Sequence, residues 1–367
     1  MTLKKKVGII FGGKSTEHEV SLQSAKNIVE AIDKTKYDVF LMGIDKEGKW
    51  HLNDHTHYLL NEEDPKLIAL NKTNEKVAFV PGEYENQLLN TNSTEAFAQL
   101  DVVIPILHGT LGEDGSIQGL LRMANIPFVG SSILGSAISM DKDIAKRLLI
   151  DAGLNVAKSF TFTRTTKDKI DFKKITYELG LPLFIKPANQ GSSVGVSKVN
   201  TEIEFIDGIE DAFKYDHKII VEEAINGREI ECSILGNDNP KSSIPGEVLP
   251  TGDFYSYEAK YIDEKGAILE IPAKLNKEIT NKVQHTAIQA FKALNCEGMA
   301  RVDVFIDHNE DVIVNEINTI PGFTKISMYP KLWEISGVSY SELIEELIDL
   351  AIERYQRDLS LKSSFDG

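Results

Sequence analysis

The sequence predicts a mixed fold, with an N-terminal α/β unit on a parallel sheet followed by α+β units. Three observations carry this. The chain opens as strand, Gly-rich turn, helix and second strand, the alternation that builds parallel sheets. Its later part alternates short apolar runs with longer amphipathic stretches, the mark of an α+β arrangement. Finally, 367 residues exceed one ordinary core and suggest two or three packed units.

The first strand is read from Lys6 to Phe11, the first helix from Val20 to Ile32 and the second strand from Asp38 to Ile44. Residues 51–97 are polar, rich in Asn, Glu and Thr, and read as an elaborated connection. Regular structure resumes with a strand from Asp101 to Leu107 and a helix from Ser116 to Ala124. A second unit begins near Ser131, with a helix from Asp143 to Ala152, strands at Val156 to Thr163 and Leu183 to Pro187, and a helix from Glu202 to Phe213. The remainder carries strands at Lys218 to Glu222, Glu229 to Leu235, Gly298 to Ile306 and Val312 to Asn318. Amphipathic helices run from Lys277 to Leu294 and from Tyr340 to Tyr355. The division expected is 1–130, 131–222 and 223–367.

Composition narrows the class. Hydrophobic residues make up 42% and charged residues 26%, ordinary for a globular protein, and no apolar run is long enough to span a bilayer. Met1 to Lys6 leads straight into the short strand Val7 to Phe11 without a signal-peptide core, so a cytoplasmic protein is expected. Cys232 and Cys296 have no CxxC partner and read as buried, inert thiols. A net charge of -16 disfavours general nucleic-acid binding, so any phosphate site must be locally cationic.

Gly8 to Ser15 satisfies the literal pattern GxxxxGK[ST]. The match is rejected, because Ile9, Ile10 and Phe11 belong to the strand and leave no phosphate-wrapping loop. What remains is a Gly12-Gly13 turn and a helix start carrying Glu17 and Glu19. Glu19 reads as a helix-end charge. Glu17 sits beyond the carboxyl end of the first strand, where open α/β sheets bind ligands.

The chemistry gathers further on. Lys186 ends a strand and is followed by Ala188 to Gly195, a loop of small residues whose backbone N–H groups, with the hydroxyls of Ser192 and Ser193, suit phosphate oxygens. Lys142 opens a helix and can reach phosphate, although such a lysine alone is more often plain surface. Glu222, Glu223, Ala224 and Ile225 follow a strand and precede Glu229, an arrangement suited to an adenine edge and ribose hydroxyls. The strongest feature pairs Arg301 and Asp303 on one strand with Glu316 and Asn318 on the next, each pair at period two. Asp303, Glu316 and Asn318 are hard oxygen donors of the kind magnesium takes, with Val302, Val304, Val314 and Ile317 filling the opposite face. Pro321 to Met328 forms a turn able to receive a carboxylate, with Ser327 as the best side-chain donor. The aromatic, charged stretch from Asp253 to Tyr261 reads as a closing loop.

In this order the features resemble the ATP-grasp superfamily and, within it, the D-alanine:D-alanine ligase family, over essentially the whole chain. The most specific stretches are Phe11 to Ser21, His108 to Gly115, Lys186 to Gly195, Tyr255 to Tyr261 and Glu316 to Gly322. The resemblance implies an ATP-grasp fold preceded by a Rossmann-like domain. ATP would lie between the central and C-terminal units, with Lys142, Lys186 and Ser193 at phosphates, Glu222, Glu223 and Ile225 at adenine, and Glu229 at ribose. Asp303, Glu316 and Asn318 would hold two magnesium ions, with manganese as an alternative. Glu17 would engage the first D-alanine's amine and join Ser192 and Tyr261 in a triad. His108 and Glu113 would line that pocket, Arg301 and the Gly322 N–H would stabilise the oxyanion, Ser327 and Met328 would meet the second carboxylate, and Lys260 would close onto the γ-phosphate.

The implied reaction is formation of a D-alanyl phosphate followed by attack of a second D-alanine, for peptidoglycan precursor synthesis by a homodimer. Related enzymes make D-alanyl-D-lactate or D-alanyl-D-serine; Tyr261 matches the dipeptide formers, the lactate formers having histidine or phenylalanine there. Ser256 stands where aspartate is frequent and Met328 where leucine is. Another ATP-grasp ligase would share the lysines and metal trio but lack Glu17, the aromatic loop and the Ser327 turn. A non-enzymatic nucleotide-binding regulator would not need Arg301 beside the metals.

Overall fold

The computed structural model describes residues 3–93, 96–250 and 267–362. The stretch 253–261, including Lys260 and Tyr261, lies outside the described residues.

The first strand, Lys5–Gly12, pairs in parallel with Tyr37–Ile44 on one side and Val102–Pro105 on the other. Val7, Ile9, Ile10 and Phe11 are all fully buried, as expected of a strand covered on both faces. Val7, Ile9 and Phe11 pack with Leu22, Ala25 and Ile28 of the helix His18–Ala31, and Ile10 packs on the far side with Ile117 and Leu121. Gly8 faces that second layer, where a Cβ would come within 2.7 Å of Met42 and 2.8 Å of Leu100. Its role is close packing inside a strand, which disposes of the phosphate-loop pattern.

The stretch expected to be a connection supplies Trp50–Asn53, an antiparallel edge strand on the parallel sheet. It also supplies small antiparallel pairings such as Val77–Phe79 with Leu88–Asn90. Strands of two to four residues leave too little alternation to be read from sequence.

The central sheet runs Ser159–Thr163, Lys218–Glu223, Leu183–Pro187, Ser197–Val199, antiparallel throughout, with its own core around Ile185, Phe205, Phe213 and Val221. The C-terminal sheet runs Ala267–Glu270, Gly246–Pro250, Gly227–Gly236, Gly298–Asp307, Val312–Asn318. The helix Lys277–Ala293 covers one of its faces, against Ile230, Cys232, Val302 and Val304.

The cores do not follow chain order. Ala145 and Leu149, from the helix Lys142–Asp151, pack into the C-terminal core. Leu343, Ile344, Leu347 and Ile348, from the helix Tyr340–Leu359, pack onto the N-terminal sheet. Arg354 anchors that helix there, donating to the carbonyls of Phe128 and Gly130 with its guanidinium over the Phe128 ring. Both cysteines are buried, which pushes the Cys232 thiol up to about 12 and that of Cys296 up to about 11. No helix among the described residues is long and apolar enough to cross a membrane.

Candidate active site

The other face of the C-terminal sheet carries the charged groups. On the strand Gly227–Gly236, Ile230, Cys232 and Ile234 face the core, so period two turns Glu229 and Glu231 the other way. Register sets Glu231 opposite Asp303, Asp303 opposite Glu316 and Arg301 opposite Asn318. Three carboxylates therefore lie in one row across three strands. Arg301 binds Asp303 through two bonds of 2.7 Å and approaches Glu231 at 2.9 Å, while the Asn318 amide donates to Asp303 at 3.1 Å. Glu231 was not anticipated, though its alternation with Ile230 and Cys232 was a readable signal.

Val314 and Ile317 do both face the core, which strict alternation forbids for residues three apart. The register slips between Asp303 and Val304, leaving Asn315 as an extra residue. This bulge turns Glu316 and Asn318 to the site while keeping Val314 buried.

The cationic groups come from two other segments. Asp141 caps the helix Lys142–Asp151 by accepting from the N–H of Asp143 and Ile144, which fixes where Lys142 begins. The Lys142 ammonium donates to the Gln190 carbonyl at 2.7 Å and lies 3.7 Å from Glu316, bridging the glycine loop to the carboxylate row. One turn on, Lys146 reaches Glu222 at 3.0 Å; Lys186 bonds the other oxygen of the same carboxylate. Burial works to raise the Glu222 pKa, but Lys186 and then Lys146 override it and hold the carboxyl down at about 2. Burial likewise opposes the charge on Lys186, and Glu222 reverses that, so its pKa ends above the ordinary lysine value. Lys146 was missed, although a lysine four residues after Lys142 on one helix face was visible.

Around this cluster, Glu223 turns away and accepts from the Lys158 N–H at 2.8 Å. Ile225 and Glu229 are half-buried. Ser192 and Ser193 take left-handed backbone conformations, with φ of 50° and 60°. That turn aims the Ser192 hydroxyl at Glu17, to which it donates.

Glu17 itself is buried at the start of the helix His18–Ala31, behind a turn in which Gly12 and Gly13 have φ of 88° and 96°. Ser15 fixes this turn, accepting from the Glu17 N–H and donating to the His108 carbonyl. A Cβ at Gly109 would stand 2.4 Å from the Glu17 carboxylate, and one at Gly191 3.0 Å from it. Glu113 accepts from the N–H of Gly109 at 2.8 Å and of Ile320 at 3.0 Å. Burial and then the Glu17 charge push its carboxyl up to about 8. His108 uses both ring nitrogens within the protein, on the Ile320 carbonyl and on Ser24. Burial, then Arg301, holds it neutral, with its pKa down to about 4.

The turn after Asn318 ends in the helix Met328–Ile335, whose first N–H groups and dipole suit a carboxylate. Ser327 precedes it and accepts from the Thr324 N–H at 3.1 Å. The Met328 side chain is buried against Val248 and Leu332, so only its backbone is placed to meet a ligand. Gly322 is buried in the same turn.

Residues 6–131 match the family model for the D-ala D-ala ligase N-terminus, and residues 148–349 match the model for its C-terminus. The D-alanine--D-alanine ligase of Oceanobacillus iheyensis is 70% identical over 99% of both chains. The structure of the D-alanine-D-alanine ligase from Coxiella burnetii superposes with a TM-score of 0.84 at 37% identity, covering 97% of this chain and 96% of that one. The VanG D-Ala:D-Ser ligase from Enterococcus faecalis also gives 0.84, at 38% identity over 95% of this chain and 100% of that one. With an N-terminal parallel sheet set before two antiparallel sheets that share a charged cleft, the chain belongs to the D-Ala-D-Ala ligase family and has the ATP-grasp fold.

Proposed function

We propose that this enzyme joins two D-alanine molecules into D-alanyl-D-alanine, converting ATP to ADP and phosphate, as a step in peptidoglycan precursor synthesis. The observation that carries the reading is the Ser192–Glu17 hydrogen bond, which ties the phosphate-type loop to a buried carboxylate of the N-terminal unit. A loop that only bound nucleotide would have no need of that partner.

In this reading Lys142, Lys186 and Ser193 receive the phosphates, and the 222–229 segment, with Glu222, Glu223, Ile225 and Glu229, receives the nucleoside. Lys146 fixes Glu222 from the far side. Glu17 holds the first D-alanine's ammonium, in a pocket walled by His108 and Glu113. A carboxylate oxygen of that D-alanine attacks the γ-phosphorus and ADP leaves. The amine of the second D-alanine, held by its carboxylate at Ser327 and the Met328 N–H, then attacks the acyl carbon. Phosphate leaves and the amine sheds a proton. Arg301 and the Gly322 N–H face the charge that develops on the acyl oxygen.

The donor set Asp303, Glu316 and Asn318 suits two magnesium ions, or manganese, which would neutralise phosphate charge during transfer. Asp303 would share its oxygens between metal and Arg301. Lys260 would meet the γ-phosphate and Tyr261 would join Glu17 and Ser192, as the family resemblance implies; both lie outside the described residues. A cytoplasmic homodimer is the working form.

Phosphate release with ATP, magnesium and single D-amino acids tests the reading. D-alanine alone should support stoichiometric release and dipeptide, with D-serine and D-lactate poor second substrates. Release that ignores D-alanine would sink it.

A further inference from the structure

Ser24 lies within the helix His18–Ala31, is fully buried and belongs to none of the roles above. A buried hydroxyl is costly unless it is bonded. This one has two partners, both from distant parts of the chain. Its oxygen accepts from the Phe323 N–H at 3.3 Å and lies 3.0 Å from His108 Nε2. His108 Nδ1 lies 2.9 Å from the Ile320 carbonyl, which can only accept, so Nδ1 carries the ring proton. In the neutral ring Nε2 is then the acceptor and the Ser24 O–H donates to it. The direction of the chain is thereby fixed: Phe323 N–H to Ser24, Ser24 O–H to His108, His108 N–H to Ile320.

Glu113 takes the N–H of the same Ile320, and the Tyr340 hydroxyl donates to the Phe323 carbonyl. Both ends of a four-residue turn are held, and between them stand only Pro321, which has no N–H, and Gly322. We propose that Ser24 is a positioning residue for the ligation step, setting the Ile320–Phe323 backbone through His108 so that the acyl group is held for the incoming amine rather than for water. This rests on the ligase reading given above. Ser24 touches no reactant in this account. It acts through the turn.

The test compares wild type, Ser24→Ala and Ser24→Cys by kcat, KM for ATP, Tm and the ratio of ADP released to dipeptide formed. For Ser24→Ala we expect kcat to fall roughly tenfold, less than the roughly hundredfold or more that follows outright removal of an oxyanion donor, because the donor is shifted and not lost. The KM for ATP should stay within about twofold, and the ADP:dipeptide ratio should rise above one as acyl phosphate is lost to water. Ser24→Cys, of similar size with a weak S–H donor, should fall between; if the alanine variant does not fold, it carries the test. A ratio that stays at one in the folded variants, whether kcat holds or falls only with folded fraction, would overturn the proposal. Wild-type enzyme that makes no dipeptide would overturn the ligase reading instead.

Discussion

Two buried charge clusters are built on opposite principles. At Lys146–Glu222–Lys186, opposite charges meet, and the Glu222 carboxyl is driven down to about 2. At Glu17 and Glu113, carboxylate acts on carboxylate, and Glu113 is driven up to about 8. The first cluster sets two lysines against one carboxylate and so keeps a net positive charge. The second holds a proton where an ammonium would be welcome. The difference identifies which cluster expects a cationic ligand, and it separates stability from activity.

The largest effect is expected from removing the carboxylate that the two lysines share. Glu222→Ala leaves Lys146 and Lys186 buried without their shared carboxylate, and should cost about 3–5 kcal/mol in denaturant unfolding, with ATP binding lost as well. Glu17→Gln should behave in the opposite manner. It removes a carboxylate whose neighbour already carries the proton, so stability should stay within about 1 kcal/mol of wild type, while steady-state ligation falls roughly a hundredfold through loss of the ammonium partner. A Glu17→Gln enzyme of undiminished activity would break the comparison.

The clusters should also titrate with opposite signs. Glu222 has a folded pKa below its ordinary 4.5, so its contribution is present above 4.5 and is lost as pH falls toward about 2. Glu113 has a folded pKa above 4.5, so its contribution is present below 4.5 and is lost as pH rises through about 8. Unfolding of Glu113→Gln across that second window should be flatter than wild type; an identical slope would contradict the assignment. At about pH 7, D-alanine binding should displace the Glu113 proton, read by calorimetry in buffers of different ionisation enthalpy. The smallest effect is expected at Glu19, which pairs with Lys46 at the surface at 2.5 Å. Glu19→Gln should cost under about 1 kcal/mol and leave kcat unchanged.

What was legible in the sequence follows from how local the cause is. Arg301, Asp303, Glu316 and Asn318 could be read because strand alternation is a local rule. The bulge at Asn315 could not, since it is set by the pairing with Asp303 and Val304. Glu17 was suspected from its place after the first strand, but its link to Ser192 spans 175 residues and came only through the family resemblance. Ser24 gave no signal at all, because a serine inside an amphipathic helix has no pattern to violate until Phe323 and His108 fold against it. Chain order also hid the cores: the last long helix completes the first sheet.

The central claim, that a carboxylate of D-alanine is phosphorylated before the peptide bond forms, is tested most directly with D-alanine labelled with oxygen-18 in its carboxyl group. One labelled oxygen should appear in the phosphate released for each dipeptide made. Unlabelled phosphate accompanying dipeptide would contradict it.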